Sequence, residues 1–166
     1  MTATKLKSGD GWLLVHPRCA VERAEDLEEV RLMIDAGELD VAVDELRWLL
    51  SGCSEMMAAH VLLGDLAVEQ GPDVPLARGH YGFAVDLGEK ALRHARAEGP
   101  APAAQLANRP LHEAARGLAG CFEKLGRPAD ADAVVAKVRG WDPADPLGVA
   151  ALVDDLRSGG LPVVSL

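Results

Sequence analysis

Apolar residues recur at intervals of three and four along most of the chain, the spacing that places them on one face of an α-helix. Between residues 19 and 36, for example, Leu27, Val30 and Ile34 keep this spacing. Glycine or proline follows most of these runs, as is typical of helix ends. The pattern predicts seven helices, over residues 19–36, 39–50, 54–70, 74–97, 108–125, 128–138 and 147–156.

The spacing of these helices repeats. Gly37 and Gly71, which separate the members of two helix pairs, lie 34 residues apart, and apolar residues follow both at nearly the same offsets. Gly126 lies 55 residues beyond Gly71, which is one such period plus an insertion. Residues 24–143 therefore resemble the tetratricopeptide repeat, a helix-turn-helix unit of about 34 residues, although no tryptophan opens any unit. The resemblance implies an all-α fold, a right-handed α-α superhelix of about three helix-turn-helix repeats plus a C-terminal capping helix.

Two details of the helix pattern carry structural expectations. The helix over 39–50 is apolar on two faces, one of which carries Val41 and Trp48, so we expect it to be sandwiched between neighbours. Gly64 lies in the middle of a helix, where glycine costs about 1 kcal/mol relative to alanine. Close approach of the paired helix through Ala77 would explain that glycine.

The pattern divides the chain into three parts. Residues 1–17 form an N-terminal extended segment, polar and frayed over residues 1–10 and apolar over GWLLV at 11–15. Residues 18–158 form the repeat domain, with the insertion near 98–108, EGPAPAAQLAN, expected as a surface linker. Residues 159–166 form a tail whose LPVVSL sequence either pairs with GWLLV or is disordered.

Composition narrows the class of protein. The chain has 166 residues, 49% of them hydrophobic, which suffices for one domain with one core. Seventeen basic residues against 26 acidic ones give a net charge of −9, which argues against a nucleic-acid partner. No apolar run approaches the roughly 18 to 20 residues that cross a bilayer, so no membrane association is expected. The high share of arginine among the basic residues hints at a GC-rich bacterial genome.

Three cysteines, Cys19, Cys53 and Cys121, cannot all pair within one chain. Since the start of the chain shows no secretory signal pattern, we expect reduced thiols and a cytoplasmic protein. Cys19 and Cys53 are then small buried hydrophobic residues. The alternative is a tetrahedral zinc site formed by both of them with His16 and His60.

The chain offers weak grounds for an enzyme. His60, His80 and Tyr81 could together transfer a proton, but no nucleophile with a recognisable motif accompanies them. No glycine-rich phosphate loop follows a strand. We therefore expect packing roles for these residues, no catalytic site and no cofactor.

A binding surface is the better hypothesis. In tetratricopeptide-repeat proteins the first helix of each hairpin lines the inner curve, and the resemblance implies that this groove holds a partner peptide or helix. The matching positions here are Glu28, Arg31, Asp35, Val61, Leu62, Asp65, Val68, Glu69, Arg116, Glu123 and Lys124.

The charge of this groove indicates what it binds. Several members of the family grip a C-terminal carboxylate with Lys and Asn, but the matching places here are Leu27, Arg31, Leu62, Glu113 and Gly117, so only Arg31 could act in that way. An acid-rich protein favours a partner with an apolar core and basic flanks. Two alternatives stay open: the groove packs on the N-terminal segment or on another copy of the chain, or the chain self-assembles into homo-oligomers through its open ends or through GWLLV and LPVVSL.

Overall fold

The computed structural model describes residues 1–7 and 9–159, and the predicted LPVVSL segment lies outside this part. Two strands and eight helices form within it. No helix among these residues is long and apolar enough to span a bilayer. The elements in chain order are β1 Thr2–Lys5, β2 Trp12–Val15, α1 Arg18–Glu22, α2 Ala24–Asp35, α3 Leu39–Gly52, α4 Met57–Gln70, α5 Val74–His94, α6 Arg109–Lys124, α7 Pro128–Trp141 and α8 Val149–Arg157.

The predicted all-α class is confirmed, and the helices pack as three consecutive hairpins, α2–α3, α4–α5 and α6–α7, followed by α8 on α6 and α7. Gly37 and Gly126 turn the first and third hairpins with φ values of +78° and +68°, a conformation that glycine adopts without strain. Ala42, Ala77 and Ala131 are each the fourth residue of a second helix, and all three are 0% exposed. The three hairpins thus place a small residue at the same point of their seams.

α4 lies at the centre of the molecule because it is apolar on every side. Met57 and Val61 belong to a core shared with α5, α6, α7, α8 and the strands. Leu62, Leu63 and Leu66 belong to a second core shared with α1, α2 and α3. One helix therefore joins both halves of the interior.

The first predicted helix is interrupted at Arg23, which separates α1 from α2. A disulfide joins Cys19 in α1 to Cys53 at the end of α3, with the two Cα atoms 5.7 Å apart, within the usual range for such bonds. The expectation of two reduced thiols at these positions is therefore wrong. Cys121 is a buried thiol.

The second apolar face of α3 is not sandwiched as predicted. Val41 is 53% exposed and Trp48 is 55% exposed. The guanidinium of Arg23 lies over the Trp48 ring, 4.7 Å from its centroid, an arrangement that favours a cation on the face of an aromatic ring. A charged side chain rather than a neighbouring helix thus covers this tryptophan.

The N-terminal residues are ordered into a β-hairpin rather than frayed. β1 and β2 pair antiparallel with Thr2 opposite Val15. Trp12 and Leu14 point into the core and are 8% and 1% exposed, and both strands pack on α5. The apolar run at 11–15 is consequently part of the interior.

The insertion after α5 is a buried strap and not a surface linker. Ala101 and Ala103 are buried, and Ala101 N–H donates to the Trp141 carbonyl at 2.8 Å. Asn108, which is 0% exposed, was expected to cap a helix but instead binds the β2 backbone. Its Oδ1 accepts from Leu14 N–H at 2.8 Å, and its Nδ2 donates to the Trp12 carbonyl at 2.8 Å and the Pro102 carbonyl at 3.1 Å. One buried amide thus connects the hairpin, the strap and the start of α6.

Candidate functional site

A cleft of about 450 Å³ opens between α2, α4, α6 and the segment before α8. We call it the central cleft. Nine residues line it, and five of them are predicted groove residues: Arg31, Val61, Leu62, Asp65 and Arg116. The other four are Tyr81, Glu113, Gly117 and Leu147.

The remaining groove residues lie elsewhere. Glu28 lines a separate apolar groove beside α1, and Asp35 is the last residue of α2. Val68 and Glu69 lie in the last turn of α4. Glu123 accepts from Arg157 at 2.6 Å and Lys124 ends α6, so neither lines the central cleft.

The Tyr81 ring lies in a slot between two helices. A Cβ atom added to Gly64 of α4 would lie 2.6 Å from the ring, and one added to Gly117 of α6 would lie 2.4 Å from it. Both distances are far shorter than van der Waals contact, so only glycine fits at either position. The explanation of Gly64 by Ala77 was wrong, since the side chain that takes the space is Tyr81.

Tyr81 positions Asp65 at the cleft. Its hydroxyl donates to Asp65 Oδ1 at 2.6 Å. Burial, then the hydrogen bond to Asp65 and its charge, raise the pKa of Tyr81 well above its ordinary value, so the hydroxyl stays a donor. Burial also raises the pKa of Asp65, with Glu69 and Glu113 adding to the rise and the hydrogen bond from Tyr81 and the charge of Arg31 opposing it.

The arginines and the second acid of the cleft have partners of their own. Arg116 Nε donates to the Leu147 carbonyl at 3.1 Å, which holds the segment before α8 against α6. Arg31 lies 3.4 Å from Glu28 on its own helix. Glu113 accepts from Arg109 at 2.9 Å.

The proposed zinc ligands do not converge. Cys19 and Cys53 are bonded to each other, and His16 Nε2 lies 2.7 Å from the Ala107 carbonyl oxygen. His60 Nε2 lies 3.0 Å from the Ser54 carbonyl oxygen. Within residues 1–7 and 9–159 no group of three or more His, Cys, Asp or Glu side chains is placed to hold a metal ion.

The three residues considered for proton transfer also separate. His60 Nδ1 and His80 Nδ1 lie 3.3 Å apart, and burial lowers the pKa of both rings. His80 faces a second cleft of about 520 Å³ between α3, α4 and α5, which we call the lateral cleft. Tyr81 points the other way into the central cleft, so the three side chains form no common site.

Searches of protein-family models, curated proteins and solved structures found no match to this chain.

Sequence reasoning missed two parts of the central cleft. Leu147 was assigned to a helix that covers the end of the stack, but it lies before α8 and forms a cleft wall. The partnership of Tyr81 with Gly64 and Gly117 was also missed. The signal was present, since mid-helix glycines on two helices leave room for one large ring and the chain has a single tyrosine.

Proposed function

We propose that this protein is a non-catalytic, tetratricopeptide-repeat-like interaction module that holds a partner peptide or helix in the central cleft. The observation that carries the proposal is the meeting of predicted groove residues from α2, α4 and α6 in one cleft. Val61, Leu62 and Leu147 give it apolar walls, and charged side chains surround them. Apolar walls with a few placed polar groups are typical of binding sites.

The proposed partner has an apolar core and basic flanks. The chain carries a net charge of −9, so complementary charge would speed encounter with a basic segment. Self-assembly through the apolar run at 11–15 loses its support because Trp12 and Leu14 are buried in the described structure.

The cellular location bears on this proposal. A bacterial-type cytoplasm stays a prediction from the sequence. Disulfides persist mainly in oxidising compartments, so the bond between Cys19 and Cys53 weighs against the cytoplasm. Thiol alkylation and mass analysis of the native protein measure which form predominates.

Replacing Leu147 with glutamate is expected to weaken peptide binding at least tenfold, since the change removes about 1.4 kcal/mol or more of apolar contact and desolvation. Leu147 is half-buried, whereas Leu62 is only 9% exposed, so a charge at Leu62 would also disturb the core. The probe is a fluorescent peptide selected on the wild-type protein from a random display library, and its affinity is measured by polarisation.

The matched control is Leu32→Glu, because Leu32 is 67% exposed on α2 and does not line the central cleft. The control should bind as the wild type does. Equal binding by Leu147→Glu and the wild type, with both folded by circular dichroism, would refute the cleft as the binding surface.

A further inference from the structure

The carboxylate of Asp65 lies half-buried without a cation beside it. Within the described residues its side chain is bonded only by the neutral Tyr81 hydroxyl, and no ion pair reaches it. Taking a carboxylate out of water is costly unless a counter-charge or several donors compensate. The second oxygen of this carboxylate therefore lacks a partner within the fold.

This carboxylate is held in place by three rigid helices. Asp65 belongs to α4, the tyrosine that binds it belongs to α5, and the glycine that closes the slot over the ring, Gly117, belongs to α6. A side chain whose orientation is fixed by packing and by a supporting hydrogen bond is suited to recognise one group.

The charges that act on Asp65 favour a cation. Glu69 on its own helix and Glu113 on α6 outnumber Arg31 on α2, and Tyr81 is uncharged. The other arginine of the cleft, Arg116, is directed to the Leu147 carbonyl. The position next to Asp65 is thus open to a positive group from outside.

The walls indicate what should carry that positive group. Val61, Leu62 and Leu147 line the same cleft of about 450 Å³, a space much larger than a single ion needs. Lysine and arginine combine a charged head with an apolar stem that packs along such surfaces.

We propose that the central cleft recognises a lysine or arginine side chain of the partner peptide, with its charged head on Asp65 and its stem against Val61, Leu62 and Leu147. The proposal rests on the proposed function, because it assigns the specificity of the same cleft. Asp65 is the residue that contacts the partner, and Tyr81 is a positioning residue.

The test starts with display of random peptides on the wild-type protein and on Asp65→Asn. Peptides selected by the wild type should be enriched in one Lys or Arg next to apolar residues. Replacing that residue with norleucine, which keeps the stem and removes the charge, should weaken binding at least tenfold, as expected for loss of one partner of a buried charge pair. Asp65→Asn should weaken the parent peptide by a similar factor and discriminate little between the parent and norleucine peptides.

Thermal unfolding separates this role from a structural one. The amide introduced by Asp65→Asn can still accept the hydrogen bond from Tyr81, and burial disfavours only the charged carboxylate, so this variant should melt at the same temperature as the wild type or higher. A structural role predicts a lower melting temperature. The matched control is Asp44→Asn on α3, where the carboxylate is 81% exposed, and it should change neither binding nor melting.

The sign of the pH dependence follows from the same shift. Between the ordinary pKa of 3.8 and the raised value in the folded protein, the native state binds more protons at Asp65 than the unfolded chain does. The contribution of Asp65 to stability therefore falls as pH rises through this window. Asp65→Asn should remove that contribution, and peptide binding by the wild type should strengthen over the same window.

The outcomes distinguish the two proposals. Failure to select any peptide that Leu147→Glu weakens would overturn the proposed function. Peptides that bind the central cleft without Lys or Arg, or that bind Asp65→Asn as tightly as the wild type, would overturn the assignment of Asp65 and leave the cleft in place. Selection of peptides that depend on a carboxylate and on Arg116 would overturn it in the same way.

Discussion

Replacing Asn108 with alanine is expected to lower the free energy of unfolding by about 3 to 5 kcal/mol. The amide makes three hydrogen bonds, to Leu14 N–H, the Trp12 carbonyl and the Pro102 carbonyl, and the side chain is 0% exposed. Alanine would leave those backbone groups without partners in a site that water does not reach. Chemical denaturation followed by circular dichroism measures the loss.

Asn108→Asp is the matched variant, since it preserves the acceptor for Leu14 N–H and removes only the two donated bonds. At Leu14, amide hydrogen exchange should be much faster in the alanine variant than in the wild type. A loss below about 1 kcal/mol in the alanine variant, which is typical of a surface substitution, would show that the strap and hairpin do not depend on this residue.

Replacing Gly117 with alanine is expected to lower the free energy of unfolding by about 2 kcal/mol, because the added methyl group would lie 2.4 Å from the Tyr81 ring. Helix propensity alone predicts the opposite sign, since alanine is better than glycine by about 1 kcal/mol in a helix interior. Thermal and chemical denaturation decide between the two.

Two comparisons isolate the cause. Gly79→Ala on α5 adds a methyl group with no atom within 4 Å of it, so it should stabilise the protein by up to about 1 kcal/mol. In a Tyr81→Ala background the ring is absent, and Gly117→Ala should no longer destabilise. Equal effects of Gly117→Ala with and without Tyr81 would contradict the slot.

The helices could be predicted because their signals are local. Apolar spacing marks each buried face, and Gly37 and Gly126 mark the turns. The equivalent seam alanines follow from the same period, as at Ala42 and Ala131. Such features depend on residues a few positions apart, so the sequence displays them directly.

The hairpin and the strap could not be predicted because they depend on distant partners. β1 is the polar segment TATK, which has no strand pattern of its own and acquires order from β2. The strap has few large side chains, and its order comes from Asn108, which binds backbone groups 94 and 96 residues away. Local composition gives no indication of either contact.

The central cleft was predicted in part for the same reason. Arg31, Asp65 and Arg116 occupy inward positions of three first helices, so a repeat period relates them. Leu147 comes from beyond the last hairpin, where no period applies. The bond between Tyr81 and Asp65 depends on the depth of a ring between two helices, which only packing determines.

Amide chemical-shift mapping with the selected peptide tests the central claim most directly. Titration into ¹⁵N-labelled protein should shift the amides of Asp65, Gly117 and Leu147 most, since these residues line the central cleft. The amides of Val43, Leu66 and Leu76, which line the lateral cleft, should change little. Largest shifts at the lateral cleft, with the central cleft unchanged, would contradict the account.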